Sequence, residues 1–449
     1  MSTIEKHDMT QGKILLPLVS FTIPLVLGNL FQLTYNAADS VIVGKYVGEQ
    51  ALAAVGTSTP IMNIAILLIS GMCMGASVLM SSQYGAKDYD TLSRQISTTM
   101  LAGCGFSVVF SLLMLLLANP VLRLIRVPET AIPEAAAYLR IIFMGLIFTF
   151  MYNFLANTMR ALGDSKTPLY FLVTSAFLNI FGDLFFVVVL RWGVAGSAIA
   201  TVCSEGLCCL LCGIYIKKKI PLLCLGKKWW VFDKSLLGKT VSYGSTSAMQ
   251  QVCLQLGKLI IQSVVNTQGV AVMAAFTAVN RVDDFAYTPQ QNIGHAMTTF
   301  LAQNKGAGHK ERMKKGFQTG LLIELVYSIG LFCVIWGLAP QIMTLFAEDG
   351  DAQVVSLGIS YLHLISWMYI LPGLTNGVQG FFRGIGDLKV TLYSTFMNMF
   401  GRVVAVFVMI RLLHMDFESL AWANMIGWIV MLLFEVPLLV KSIRGGECG

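Results

Sequence analysis

Residues 160–166 read Arg160-Ala-Leu-Gly163-Asp164-Ser-Lys166, and residues 383–389 read Arg383-Gly-Ile-Gly386-Asp387-Leu-Lys389. One Arg-x-x-Gly-Asp-x-Lys frame therefore stands in both halves of a 449-residue chain. Three further pairs keep the same order: Gly12-Lys13 with Gly238-Lys239, Gln83-Tyr-Gly85-Ala86 with Asn304-Lys-Gly306-Ala307, and Asn179-Ile-Phe-Gly-Asp183 with Asn398-Met-Phe-Gly-Arg402. Four ordered matches at an offset of about 220 residues argue for an internal duplication.

Working outward from these loops, the segments between them are apolar. The chain is 56% hydrophobic and only 12% charged, with a mean hydropathy of +0.71, too few charges to cover a water-soluble fold of this size. Apolar blocks such as 64–79 and 101–118 approach the roughly 20 residues that span the hydrocarbon core as a helix. Cutting at charged or Pro/Gly-rich breaks gives twelve spans: 14–42, 53–80, 92–118, 134–159, 167–190, 194–216, 239–265, 270–301, 316–339, 355–381, 389–413 and 417–440. The expected fold is an all-α polytopic membrane protein of twelve transmembrane helices in two six-helix lobes. A six-helix repeat is even, so both copies insert with the same orientation. Such repeats are related by a pseudo-two-fold axis along the membrane normal. The expected organisation is an N-terminal lobe (1–216), a cytoplasmic basic linker (217–238) and a C-terminal lobe (239–449).

Most of the 31 lysines and arginines fall on one side of this topology. The other side has only Lys45, Arg123, Arg126, Arg191 and Arg411. This bias puts both termini in the cytoplasm and reads as a plasma-membrane protein. It also explains the net charge of +7 without a nucleic-acid partner. In the linker, Lys217, Lys218, Lys219, Lys227, Lys228 and Lys234 stand with Trp229 and Trp230, a strip suited to anionic membrane lipids. The polar stretch 1–13 precedes an apolar run too long for a signal peptide, so it reads as the start of a retained first helix.

The ten cysteines lie nearly all in apolar blocks, where a thiol acts as a small hydrophobe. Cys208, Cys209 and Cys212 lack the remaining corners of a tetrahedral metal site. Gly306-Ala-Gly-His-Lys310 lacks the length and the hydroxyl of a phosphate loop, which argues against ATP as the energy source. No HExxH, GxSxG or partnered cysteine nucleophile occurs. The reading is therefore not an enzyme, and no cofactor is expected.

What remains is a short list of ionisable groups at membrane depth, each costing at least about 2.5 kcal/mol at a helix centre and functional by default. In the first helix Gln32, Tyr35, Asn36 and Asp39 recur at three- and four-residue spacing, one polar stripe on an apolar helix. The bland alternative is an Asp39 wetted at the outer interface. Asn179 and Asp183 lie one turn apart in the fifth helix, and Thr201 in the sixth offers a hydroxyl. Two carboxylates with amide and hydroxyl oxygens suit Na⁺; in a poorly hydrated pocket the same pair binds a proton instead. Both alternatives stand at this point, and Na⁺ is the only metal ion the reading admits. Asn153 and Asn157 form a polar pair that faces either substrate or a neighbouring helix. Pro24 removes a mid-helix hydrogen bond, so a kink or bend is expected there.

The second half carries other charges. Lys258 and Arg402 stand near the counterparts of Asp39 and Asp183, while Asp283 and Asp284 lie in the eighth helix. Internal ion pairs among these four are the favoured reading, with a positive cavity for anionic cargo as the alternative. Glu205, Glu324 and Glu435 receive no role. The 23 methionines and 27 phenylalanines suit a cavity for varied hydrophobic ligands, or plain packing.

Pro24 followed by Tyr35-Asn36-Ala-Ala-Asp39, the Gln83-Tyr-Gly-Ala-Lys loop, the Arg160-Ala-Leu-Gly-Asp-Ser-Lys-Thr-Pro loop and the duplicated twelve-helix plan resemble the multidrug and toxic compound extrusion (MATE) family of antiporters over nearly the whole chain. The closest resemblance is to the branch related to the DNA-damage-inducible transporters. It implies a cation site at Asp39, Asn179, Asp183 and Thr201, a bending proline at Pro24, and drug contacts at Gln32, Tyr35, Asn36, Asn153 and Asn157. It further implies secondary active export of cationic or amphipathic drugs in exchange for inward H⁺ or Na⁺ by alternating access, by a monomer. Another branch uses acidic residues in helices 7 and 10; here those helices offer Gln250, Gln251 and Lys258, and Pro372, Thr375 and Asn376. The alternative is a lipid-linked oligosaccharide flippase of the same superfamily, with Arg402 and Lys258 gripping a diphosphate.

Overall fold

Apolar runs placed in lipid must close their backbone hydrogen bonds internally, and here they close them as helices. The structure is a computed structural model describing residues 8–125, 127–220, 230–346, 352–413 and 415–445. Its α-helices are α1 (Leu15–Tyr46), α2 (Glu49–Gly85), α3 (Tyr89–Leu124), α4 (Ile132–Met144), α5 (Leu146–Ala161), α6 (Lys166–Asp183), α7 (Gly193–Lys219), α8 (Lys234–Val265), α9 (Val270–Gly306), α10 (Lys310–Phe346), α11 (Ala352–Ser366), α12 (Ile370–Gly384), α13 (Leu388–Val406) and α14 (Ser419–Arg444). There is no strand among the described residues.

These helices make the twelve expected spans, because two spans are broken. α4 and α5 form one span bent by 47° at Gly145. A Cβ at Gly145 would lie 2.4 Å from the Val202 side chain, so the glycine admits α7 at the bend. α11 and α12 form the second broken span, joined by the 3-10 turn Trp367–Tyr369. Among the described residues nine helical spans are long and apolar enough to cross a membrane, and the bent pair is a tenth. α8 and α9 complete the twelve at 32 and 37 residues. They fall short on composition alone, since they carry residues such as Lys258, Asp283, Asp284 and Gln290.

The chain divides into two compact units, Ile23–Ala248 in the first and Met9–Thr22 with Met249–Gly449 in the second. The division falls inside α1, one residue before Pro24, and inside α8; α1 itself is continuous through Pro24. In the first unit the core runs through Ile69, Met80, Leu139, Phe150 and Phe154. Small residues let its helices approach closely: a Cβ at Gly75 of α2 would lie 2.4 Å from the Tyr243 carbonyl oxygen of α8. Residues 221–229 of the expected linker lie outside the described residues. Beyond them, the Val231 and Asp233 amides donate to Ser97 and Thr98 of α3, and Asp233 caps α8 at Ser235 and Leu236.

The second unit has its own core around Val279, Tyr361, Leu362, Met368 and Tyr369. Here the Arg312 guanidinium holds the backbone of the segment before α1, donating to the carbonyls of Met9, Gln11 and Gly12 at 2.7–3.2 Å.

The repeated loop has a local cause. Gly163 and Gly386 have φ of +88° and +84°, a left-handed conformation that ends one helix at little cost only with glycine. Asp164 then caps α6, accepting from the amides of Lys166 and Thr167. Both following spans end in a six-residue π-helical segment, Leu184–Val189 after α6 and Phe407–Leu412 after α13. The glycines and the π segments fix one register through this span. In that register Arg402 stands opposite Asn179, one turn from the Asp183 position that the Asn-x-Phe-Gly match suggests.

Candidate cation site

The site lies within the first unit and is organised by α7. Ser197, Thr201 and Glu205 follow one another at four-residue spacing, so they form three rungs on one face. Each rung meets a different helix. Ser197 Oγ donates to Asp39 Oδ1 of α1 at 2.6 Å. Thr201 Oγ1 accepts from Asn179 Nδ2 of α6 at 3.2 Å. Glu205 accepts from Thr149 Oγ1 of α5 at 2.5 Å. Close packing of α6 on α7 underlies this ladder, as a Cβ at Gly182 would lie 3.0 Å from that of Ala200.

Asp183 is the last residue of α6 before its π segment and is fully buried. Neither of its carboxylate oxygens has a hydrogen-bond donor, nor does Asn179 Oδ1. The part-buried carboxyl of Asp39 is its immediate electrostatic neighbour. Tyr138 lies within electrostatic reach of Asp39, Asp183, Tyr35 and Glu205. No salt bridge of the described residues involves Asp39, Asp183 or Glu205. Taking an ion out of water costs several kcal/mol, and two adjoining carboxylates without a counter-ion add repulsion. The unpartnered oxygens of Asp183 and Asn179 beside Asp39 suit a hard monovalent cation or a shared proton.

The structure thus brings Asp39, Asn179, Asp183 and Thr201 together. Ser197 was not singled out from the sequence and Glu205 received no role there, although the four-residue spacing with Thr201 was the available signal. Tyr35 neighbours Gln32, Asp39 and Glu205. The Asn36 side chain lies outside the described ones. Asn153 and Asn157 donate to carbonyls of their own helix, at Thr149 and Asn153. Among the described residues no cluster of metal-ligating side chains occurs, and Cys208 instead bonds the Phe171 carbonyl.

In the second unit one ion pair forms among the described residues, and Asp283 lies within electrostatic reach of Arg402. Lys258 Nζ meets Asp284 Oδ1 at 3.3 Å. Buried Asp283 accepts from the hydroxyls of Tyr369 and Tyr361 at 2.5 and 3.1 Å, with Arg402 as its counter-charge. This unit also holds an apolar cavity of about 650 Å³ between α8 and α13, lined by Met249, Cys253, Phe396, Met399 and Phe400 among others.

The MatE family profile matches this chain twice, over residues 24–185 and 247–408. The chain belongs to the MatE family. It is a multi-pass membrane transporter of the multidrug and toxic compound extrusion type, not an enzyme. The two matched stretches are the two copies of the duplication. The chain is 32% identical over 392 residues to the probable multidrug resistance protein YpnP of Bacillus subtilis, covering 87% of this chain and 86% of that one. It is 29% identical to the probable multidrug resistance protein YoeA of the same organism, covering 85% and 83%. A solved MOP superfamily transporter from Pyrococcus furiosus has the same fold, with a TM-score of 0.91 at 21% identity over 99% of both chains.

Proposed function

We propose that this MatE transporter is a secondary active multidrug antiporter, exporting amphipathic or cationic drugs in exchange for inward H⁺ or Na⁺ by alternating access. The observation that carries the reading is the Asp39 and Asp183 pair, two adjoining carboxylates among oxygen donors with no salt-bridge partner. A cation that binds there neutralises a charge that is costly to bury. Its affinity then differs between any two conformations that bury the pair to different extents, and such a difference is what coupling requires. Pro24 is the hinge of this proposal, because the missing hydrogen bond lets α1 bend between Thr22 and Asp39.

Drug contacts fall to Gln32, Tyr35, Asn36, Asn153 and Asn157 beside the cation site. The apolar cavity in the second unit supports amphipathic cargo, and its methionines suit varied shapes. The transporter works as a monomer in the plasma membrane without ATP, with both termini and the basic linker (217–238) on the cytoplasmic side against anionic lipid. The coupling site lies in the N-terminal lobe (1–216), as in the DNA-damage-inducible branch that the sequence resembles. A flippase reading needs free cations at Lys258 and Arg402 for a diphosphate, and both already face carboxylates.

The test is efflux of ethidium, a cationic amphipathic dye, from proteoliposomes under a Na⁺ gradient and separately under a pH gradient. One gradient drives export in the proposed mechanism and so names the coupling ion. Efflux indifferent to both refutes the antiport reading.

A further inference from the structure

The second unit buries three carboxylates whose neighbours differ. Asp283 has two tyrosine hydroxyls and Arg402. Glu435 is fully buried, and its oxygens lack a hydrogen-bond donor, but it faces Arg383. Glu324, near the middle of α10, is 1% exposed, and neither of its oxygens has a donor. No lysine or arginine among the described residues pairs with it.

Its surroundings are oxygen-rich and built by three elements. From α9, fully buried Gln290 sends Nε2 to Ser328 Oγ at 3.0 Å and to the Tyr369 carbonyl at 2.8 Å. Those bonds fix the amide orientation and leave Gln290 Oε1 without a donor. Ser328, one turn after Glu324, bonds the carbonyls of Glu324 and Tyr369. Tyr369 ends the 3-10 break between α11 and α12, where its carbonyl is open to side-chain donors. Gly373 of α12 leaves the space between them: a Cβ there would sit 2.8 Å from Ser328 Oγ, 3.2 Å from Gln290 Nε2 and 3.4 Å from Glu324 Oε2.

The donor set repeats that of the first unit. There a buried carboxylate with two unpartnered oxygens (Asp183) stands with an amide whose nitrogen bonds a hydroxyl and whose oxygen is unpartnered (Asn179 with Thr201). Glu324, Gln290 and Ser328 have the same pattern. We propose that Glu324 and Ser328 Oγ, with Gln290 and the Tyr369 carbonyl holding the serine in place, form a second cation site, inside the C-terminal unit, that takes one monovalent cation, either H⁺ or Na⁺. The ionisable groups around it are Tyr327 on its own helix, Asp283 and Tyr287 from α9, and Tyr369, whose hydroxyl bonds Asp283. Arg402 acts on Asp283, and among the described residues no basic side chain acts on Glu324. The site is separate from the Asp39 and Asp183 pair and does not depend on which cargo is exported.

The experiment uses the full-length protein carrying Asp39→Asn and Asp183→Asn, which silences the first site. Thermal unfolding in detergent is followed against NaCl, with choline chloride holding the ionic strength, and separately against pH in sodium-free buffer. A ligand at a hundredfold excess over its Kd raises stability by about 2.7 kcal/mol. The midpoint therefore rises with Na⁺, or with falling pH, and the responsive arm names the cation. Glu324→Gln abolishes that rise, and Gln290→Leu, which keeps the carboxyl, weakens the apparent affinity tenfold or more. If Glu324→Gln does not fold, Gln290→Leu and Glu324→Asp carry the test through their shifted affinity. A midpoint insensitive to both cations, or a rise that survives these variants unchanged, overturns the proposal.

Discussion

Replacing Asp39 by asparagine removes one of the two charges at the first site and little else. The amide retains an oxygen where Ser197 Oγ now donates at 2.6 Å, so the link between α1 and α7 is kept. Two unit charges about 4 Å apart at an effective dielectric of about 20 interact by about 4 kcal/mol. A cation held between Asp39 and Asp183 loses an attraction of that order when one carboxylate goes. Each ~1.4 kcal/mol is a factor of ten, so cation affinity should fall roughly a thousandfold. Gradient-driven ethidium export should then drop to the level of protein-free liposomes. Equilibrium ethidium binding, measured by fluorescence anisotropy on the same protein, should change far less. The assay is efflux from proteoliposomes at matched protein content, with the half-saturating cation concentration read for both proteins. Wild-type export with an unchanged half-saturating concentration would refute the assignment of coupling to Asp39.

Asp283→Asn replaces one of the two oxygens that accept from buried tyrosine hydroxyls by an amide nitrogen, and removes the negative charge near Arg402. It should cost about 3–5 kcal/mol in thermal unfolding, as for breaking a buried pair, whereas Asp284→Asn at the half-exposed Lys258 contact should cost at most about 1 kcal/mol; equal effects would contradict this contrast. Gly75→Ala forces a methyl onto the Tyr243 backbone and should destabilise by about 1–3 kcal/mol or more. Gly105→Ala meets nothing within 4 Å and should stabilise by up to about 1 kcal/mol, so a loss of stability there would be the discordant result. Arg312→Ala removes the guanidinium bonds to Met9, Gln11 and Gly12. Tryptic cleavage at exposed Lys13 should then speed up roughly thirtyfold, for about 2 kcal/mol of lost local protection; an unchanged rate would mean that other contacts hold the segment.

The twelve spans were legible because a lipid-facing helix announces itself by length and apolarity. α8 and α9 are less apolar, yet the spacing of the duplicated loops places them. The break at Gly145 and the 3-10 turn at Trp367–Tyr369 were not legible, since close packing against other helices creates them and no local pattern does. At the site, Asn179 and Asp183 one turn apart, and Asp39 on its polar stripe, carried a signal that survives folding. Ser197 and Glu205 escaped because serine is unremarked in an apolar helix and a single glutamate has no visible partner until α5 and α1 pack against α7. The asparagine pair carries a weaker signal: an amide nitrogen four residues after a carbonyl can be satisfied within its own helix, as both are here, which leaves only the amide oxygens for another partner. The one-turn slip of Arg402 has a related origin. A shift of four residues keeps the same helical face, so sequence matching alone does not detect it.

That register sharpens how the halves diverged. Asp183 and Val406 stand at the same position, immediately before matched π segments. The π turn was therefore kept in both copies while the charge beside it was kept in one. In the second copy the buried carboxylates stand elsewhere: Asp283 accepts from two tyrosine hydroxyls within electrostatic reach of Arg402, while Glu324 and Glu435 both keep the unpartnered oxygens seen at Asp183, Glu435 facing Arg383 and Glu324 no cation among the described residues. An ion site needs a carboxylate, an amide oxygen and a hydroxyl at a place where regular helical bonding is interrupted. In the first unit Asp183 stands directly before a π segment of the fifth span, and in the second Glu324, on the uninterrupted α10, lies beside the 3-10 break of the chain's tenth span. Duplication supplied the scaffold, and a helix interruption, in its own helix for Asp183 and in a neighbouring one for Glu324, stands beside each of these two donorless carboxylates.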